Sequence, residues 1–583
     1  MRVRAALCSS HQRLLSCGIL ARSWLPPDTR RRLFSDGPEN LFGYTSGRWI
    51  FNEHIRLKER RIEFDVEALK IAITTSVDRP LSELKSLSKL AEGGFNRVFE
   101  ARFADGLKVL ARLPYSLTVP KHYSTASEVA TLGFLRSLSF PVPRVFGYCA
   151  TDKNPVGSEY ILEEKIEGTH LGGVWYIIDN KARKKINRQI VDLEERLLRT
   201  RLPASGSLYY ARDLSEGDRR IPVSNSAGEN STSDQLVVGP IAGYGWHYRL
   251  RGNLKAHLGP WSTFADCFKA PALREIAWCN KYGSPRQHVE RHLRHIYDFD
   301  DMKPDAYIQV LEEYLRLAPS LDLPADHAFS RPVLRHPDLS PSNIIVSDDF
   351  DVVGVIDWQH SAVLPLCLAA GIPKHMQNWG DPASGRLEKP ATKLPDNYDE
   401  MSSHEKSEVT EKLRRRLVHF LYAAKTMVQV PEHFEAFRQP AATLRARLYT
   451  HAAWPWEGNN LTLKKDLIDT VKAWPLVIKS GTAQQQGVYE VQTFPTCPLK
   501  YSDQEIAACE DLVEKEEEST AEYLEMQEAL DIDQQGWVDD DEHYEKSREL
   551  ARSIKESLLE EAETEAERIS ALHHFPFEDH EEL

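Results

Sequence analysis

Asp338, Asn343 and Asp357 constrain this chain more than any other feature of it. Asp338 lies in Leu334-Arg335-His336-Pro337-Asp338-Leu339-Ser340-Pro341-Ser342-Asn343, five residues ahead of Asn343, and Asp357 follows in Val353-Gly354-Val355-Ile356-Asp357-Trp358. Phosphoryl transfer needs one carboxylate to accept the proton of an attacking hydroxyl and two oxygen donors to hold a metal ion on the phosphates. A chain with this spacing is expected to fold so that all three side chains meet in one cleft. The apolar runs 344–346 and 352–356 flank a polar Ser-Asp-Asp-Phe-Asp turn and predict a β-hairpin. Asn343 would enter that hairpin and Asp357 would leave it on the same side. Pro, Asp, Ser and Asn are also common turn formers, but three chemically required positions in register favour a reaction site over a polar turn.

These residues resemble the signature of the aminoglycoside phosphotransferase family, small-molecule relatives of the protein kinases. His336-Pro337-Asp338-Leu339-Ser340-Pro341-Ser342-Asn343 is similar to His-Gly-Asp-Leu-His-x-x-Asn, and Ile356-Asp357-Trp358 to the Ile-Asp-Trp that follows. Pro337 replaces a glycine and Ser340 a histidine, and neither change removes the proton acceptor or a metal ligand. The resemblance implies an α+β, protein-kinase-like bilobal fold with a small β-rich N-lobe and a large, mainly helical C-lobe. It further implies ATP and Mg2+ between the lobes, Asp338 as the catalytic residue, Asn343 and Asp357 as metal ligands, and a small-molecule hydroxyl as acceptor.

Nucleotide-handling elements should then lie upstream. Residues 87–91 and 98–103 flank the turn Glu92-Gly93-Gly94-Phe95-Asn96-Arg97, in which Gly93, Gly94 and Asn96 are the candidate phosphate-binding positions. Glycine lets backbone amides approach phosphate oxygens closely. The strand-like run 108–113 carries Arg112 where the related enzymes carry a phosphate-binding lysine. A guanidinium keeps its charge and can bind phosphate through two bonds, yet it does not replace an ammonium one for one. A helix predicted over 124–139 offers Glu128 as its partner, similar to the Lys-Glu pair of kinases; a mere surface pair would contribute ~0 to 1 kcal/mol. Residues 159–168 read as the last strand leading into the hinge, and the resemblance puts adenine contacts near Glu163, Glu164 and Lys165.

The first fifty residues hold eight arginines and no lysine, and the first acidic residue is Asp28. This composition resembles a mitochondrial transit peptide with cleavage after Phe34, although a solvated basic arm has the same composition. The segment 41–49, Leu236-Val237-Val238-Gly239-Pro240, Gly259-Pro260-Trp261 and Arg274-Glu275-Ile276-Ala277-Trp278 are similar to a fungal branch of the family, the altered inheritance of mitochondria protein 9 proteins. The expected location is therefore mitochondrial, in the matrix. The competing reading is a nucleotide-binding or structural pseudokinase acting through mitochondrial partners.

The organisation follows as a leader 1–34, an extension 35–80, an N-lobe 81–165, a C-lobe with insertions 166–500 and an acidic tail 501–583. The insertion ahead of the catalytic loop is expected to carry a helix over 180–200, a loop or hairpin from Ser205, a flexible loop over 217–234 and a resumed helical pattern over 273–317. Further helices are predicted over 407–429 and 432–446, broken at Pro440. Trp454 and Trp456 read as buried anchors rather than ligand-stacking groups. The tail reads as solvated helices and linkers, with a possible protein partner. A net charge of −14 argues against nonspecific nucleic-acid binding, and no apolar run reaches the roughly 18 residues of a bilayer span. Eight scattered cysteines without a CxxC pair make a disulfide framework or zinc site unexpected.

Overall fold

A computed structural model describes residues 39–223, 235–254, 258–391, 393–482 and 496–580. The arginine-rich leader, Cys8, Cys17 and residues 224–234 of the expected loop lie outside the described residues. The other six cysteines are free thiols.

Strand alternation builds the small lobe. Leu84–Glu92, Asn96–Phe103, Lys108–Pro114, Val145–Cys149 and Tyr160–Glu164 form one antiparallel sheet in the spatial order first, second, third, fifth, fourth. Val109, Ala111 and Leu113 of the third strand join Phe99, Ala101 and Phe103 of the second in one core. With a period of two, Leu110 and Arg112 turn to the opposite face. The 41–76 segment covers the apolar face. Its Val66–Ser76 helix starts where Asp65 accepts the Ala68 N–H at 2.8 Å, and it buries Leu69 and Ile73 completely, each worth about 1.5–3 kcal/mol.

The Tyr123–Ser137 helix is buried along most of its length, which removes Glu128 from water. A three-stranded sheet from the insertion, Ser207–Tyr210, Leu236–Gly239 and Ile221–Pro222, packs against this helix. Gly133 makes that approach possible, because a Cβ there would sit 2.0 Å from the Tyr210 hydroxyl.

The large lobe is helical. The Asn180–Arg199 and Ser403–Gln429 helices share one core, while Phe264–Tyr282, Pro304–Leu317 and Pro440–Ala452 share a larger one. The pattern over 273–317 is interrupted: the first helix ends at Gly283, a 3-10 segment follows at Arg291–Tyr297, and Pro304 starts the next helix. Gly283 lies so close to the Cys279 carbonyl, 2.5 Å from where a Cβ would be, that a side chain there would force the backbone to shift. The break at Pro440 is present, since Pro431–Arg438 and Pro440–Ala452 meet at Gln439. Trp456 is buried beside Trp278 and Tyr307, and Trp454 packs edge-on to His451.

The tail differs from the solvated helices expected. Asp503–Ala529, Asp541–Glu561 and Glu565–His573 are helices, but Trp537–Val538 pairs antiparallel with Arg48–Trp49, and Leu530, Val538, Tyr544, Phe575 and Phe577 close a core around Ile50 and Phe51. The apolar residues are few and widely spaced within an acidic background. Local composition therefore hides a face that only the N-terminal segment completes.

Candidate active site in the interlobe cleft

The hairpin Ile344–Val346 with Val352–Val355 forms as predicted, pairing Ile344 with Val355 and Ile345 with Gly354. One further bond, Ile356 N–H to the Asn343 carbonyl at 2.9 Å, puts Asn343 beside the residue that precedes Asp357. Asp357 adopts φ 64, a left-handed conformation that Asp tolerates better than most residues, and its side chain remains half exposed. Asn343 is buried, and its Nδ2 donates to the Asp338 carbonyl at 2.9 Å, leaving Oδ1 as its acceptor atom.

His336 braces this loop from beneath. Its Nδ1 accepts the Asp338 N–H at 3.1 Å while Nε2 faces the Ile356 carbonyl at 2.9 Å, which assigns the neutral Nε2–H tautomer. Burial pushes the ring pKa down to about 4, so it keeps that form at neutral pH. Trp358, fully buried, lies edge-on to the imidazole at 4.5 Å and donates its indole N–H to the Val355 carbonyl at 3.1 Å. Arg335 fixes the start of the loop through Glu194 and the carbonyls of Ala369 and Gly371. Burial raises the pKa of the Asp338 carboxyl, and the Lys374 ammonium pulls it back.

Arg112 meets two carboxylates of its own lobe and, across the cleft, a third. Its guanidinium lies 2.6 Å from Glu128, 3.7 Å from Glu163 and 3.7 Å from Asp357. Burial raises the Glu128 and Glu163 pKa values and the guanidinium opposes that rise. Glu163 remains at about 7, with one oxygen buried and without a hydrogen bond. Of the three hinge candidates, only Glu163 turns its side chain to this cluster. Glu164 accepts the Arg144 N–H at 3.1 Å, and Lys165 pairs with Glu100.

The glycine turn closes through Gly93 N–H to the Asn96 carbonyl at 2.9 Å. The Asn96 side chain does not point into open space. Its Nδ2 donates to Gln359 Oε1 at 2.8 Å.

A half-exposed carboxylate and an amide oxygen on adjacent backbone suit a hard cation such as Mg2+, which takes oxygen ligands, usually one or two protein groups plus substrate phosphates. The family model described as "Phosphotransferase enzyme family" matches residues 86–367. An Aspergillus fumigatus protein, a subtelomeric hrmA-associated cluster protein, is 30% identical over 531 residues, 85% of this chain and 97% of that one. The chain belongs to the phosphotransferase enzyme family. Among its relatives is altered inheritance of mitochondria protein 9 of Kluyveromyces lactis, 24% identical over 80% of this chain and 82% of that one.

Similar solved phosphotransferase structures include a streptomycin–ATP–APH(2")-IIa ternary complex (12% identity, TM-score 0.33, 70% of this chain and 97% of that one). A Plasmodium vivax ethanolamine kinase is a second (11% identity, TM-score 0.27, 67% and 82%). The family match and the chain's own architecture, a five-stranded antiparallel sheet followed by a mainly helical remainder, give it a kinase-like fold. Within that fold the sequence drew attention to Asp338, Asn343, Asp357, Arg112 and Glu128, and the structure brings them to one cleft. It did not single out Gln359, Lys374 or Arg335. The only local signal for Gln359 is a polar residue two positions behind a predicted metal ligand; Lys374, much further along the chain, has none.

Proposed function

We propose that this protein transfers the γ-phosphate of Mg-ATP to a hydroxyl of a small molecule in mitochondria. The observation that carries the reading is the convergence of Asp338, Asn343 and Asp357 with the Arg112–Glu128 pair on one cleft between a β-rich and a helical lobe. Asp338 accepts the proton of the attacking hydroxyl at its carboxylate, and its partial burial makes it a better base. Asn343 Oδ1 and the Asp357 carboxylate hold Mg2+, which when bound neutralises charge on the phosphate oxygens. Arg112, braced by Glu128, positions the phosphates. Gly94 presents its backbone amide to them, since the Gly93 N–H is taken by the Asn96 carbonyl, and the hinge backbone at Lys165 receives the adenine, since the Glu164 N–H is taken by the Arg144 carbonyl.

The Arg-rich leader and the relatives named as mitochondrial proteins support the location, with the matrix as the compartment. No helix among the described residues is long and apolar enough to cross a membrane. Docking of the acidic tail on the chain's own N-terminal segment supports an internal role for it over a separate protein partner.

Calorimetric titration of Mg-ATP into the protein and into Asp357→Ala tests the reading. Binding by the first and its loss in the second are expected. One observation favours a second reading, a pseudokinase: Arg112 reaches the metal-binding carboxylate itself. Nucleotide binding that is indifferent to Mg2+ and to Asp357 would select that alternative.

A further inference from the structure

The four residues 357–360 each engage a different part of the cleft. Asp357 faces Arg112, Trp358 locks into the core, Gln359 meets the glycine turn, and His360 lies edge-on to Phe95 with ring centroids 5.1 Å apart. Gln359 is 6% exposed and uses both ends of its amide. Oε1 accepts from Asn96 at 2.8 Å, and Nε2 donates at 3.1 Å to the Ser124 hydroxyl, itself buried on the helix that carries Glu128.

The glycine turn has other anchors, but they belong to its own lobe. Glu92 at its start pairs with Arg97 and Lys89 and accepts from Thr45, and the Phe95 carbonyl accepts from Tyr115 N–H and the Thr118 hydroxyl. These contacts all lie on the small-lobe side of the cleft. The Asn96 amide and the Phe95 ring instead reach across to the large lobe, where Phe95 also meets Tyr244 at 5.3 Å. A buried amide with both bonds satisfied holds one geometry, because breaking either bond leaves a polar group unpaired.

We propose that Gln359 is a positioning residue that latches the glycine turn closed over the Asp357 site and ties that closure to the helix bearing Glu128. Asn96 is then a latch partner and not a phosphate ligand. The consequence for nucleotide binding rests on the functional reading above; the latch itself does not.

Gln359→Met has nearly the same volume and forms neither bond, and Asn96→Ala releases the turn from its other side at a less buried position. The test is amide hydrogen exchange at residues 93–97 in the otherwise intact protein, with melting temperature and Mg-ATP affinity alongside. At least tenfold faster exchange in either variant is expected, with Mg-ATP affinity reduced about tenfold and the double variant no weaker than the single ones. Exchange unchanged in both variants overturns the latch. Faster exchange in a protein that binds no Mg-ATP even unsubstituted upholds the latch and removes the nucleotide reading alone. If Gln359→Met fails to fold, Asn96→Ala decides, and unchanged exchange in it overturns the proposal.

Discussion

Glu163→Gln isolates the least ordinary group in the cleft. Burial holds the Glu163 carboxyl at about 7 against an ordinary 4.5, with Arg112 opposing the rise. Between those two values the folded protein keeps a proton that the unfolded chain has released, so the folded state binds more protons and stability falls as pH rises. The contribution is fully present below about 4.5 and gone above about 7. The separation of the two pKa values, at about 1.4 kcal/mol per pH unit, amounts to about 3 kcal/mol, most of it lost between pH 5 and pH 8. Glutamine does not titrate and lacks this term. Urea unfolding followed by tryptophan fluorescence at pH 5, 6, 7 and 8 should show the unsubstituted protein losing stability relative to the variant by about that amount. A difference that stays constant from pH 5 to pH 8 would refute the reasoning, because Glu163 would then be ionised throughout.

Three other substitutions probe separate parts of the molecule. Arg112→Met leaves Glu128 and Glu163 buried without a cation and should cost about 3–5 kcal/mol, more at pH 8 than at pH 6 because both carboxyls then hold protons the unfolded chain gives up; equal urea midpoints with and without Arg112 would sink this. Glu275→Gln strips the shared partner from Arg251 and Arg274, each bonded to it at 2.8 Å with all three side chains fully buried, and should lower stability by about 3–5 kcal/mol; a melting temperature unchanged by the substitution would show the guanidinium groups are satisfied elsewhere. Lys374→Gln removes the cation that opposes the raised pKa of Asp338, so the acid limb of the pH profile of phosphate transfer, or of ATP hydrolysis, should move to higher pH. An unmoved limb would mean the ammonium does not act on Asp338.

The parts of the site legible in the sequence are those whose partners are close along the chain. Asp338, Asn343 and Asp357 fall within one loop and one hairpin, and Arg112 and Glu128 within one strand and the next helix, so a short stretch of chain carries each group and the family resemblance could name the partners within it. The Arg274-Glu275 motif could be seen as a mark without a mechanism. Its mechanism is a buried ion cluster closed by Arg251, twenty-four residues earlier, and by the Trp456 N–H. Gln359 meets Asn96 across 263 residues, and Trp537 meets Trp49 across the whole protein. Neither pair leaves a periodicity or spacing to read. The tail misled for the same reason, since a solvated acidic helix and a docked one differ only in where a partner lies.

Arginine at 112 looks, from the sequence, like the loss of a lysine. The structure gives it a different sense. Glu163, on the neighbouring strand, adds a third carboxylate to a site where Glu128 and Asp357 already stand, and two of the three acids are buried. A lysine's single ammonium is a compact point charge, whereas a planar guanidinium presents separate nitrogens in fixed directions. Here Nη1 faces Glu128 and Glu163 while Nη2 faces Asp357. Arg112 and the acid at 163 therefore belong together as one electrostatic unit: the additional carboxylate calls for a cation with more than one donor, and that cation in turn keeps two buried acids and Asp357 within reach of one another. Under the proposed reading Asp357 exchanges Nη2 for Mg2+, and its side chain, half exposed and 3.7 Å from Nη2, is placed for that exchange.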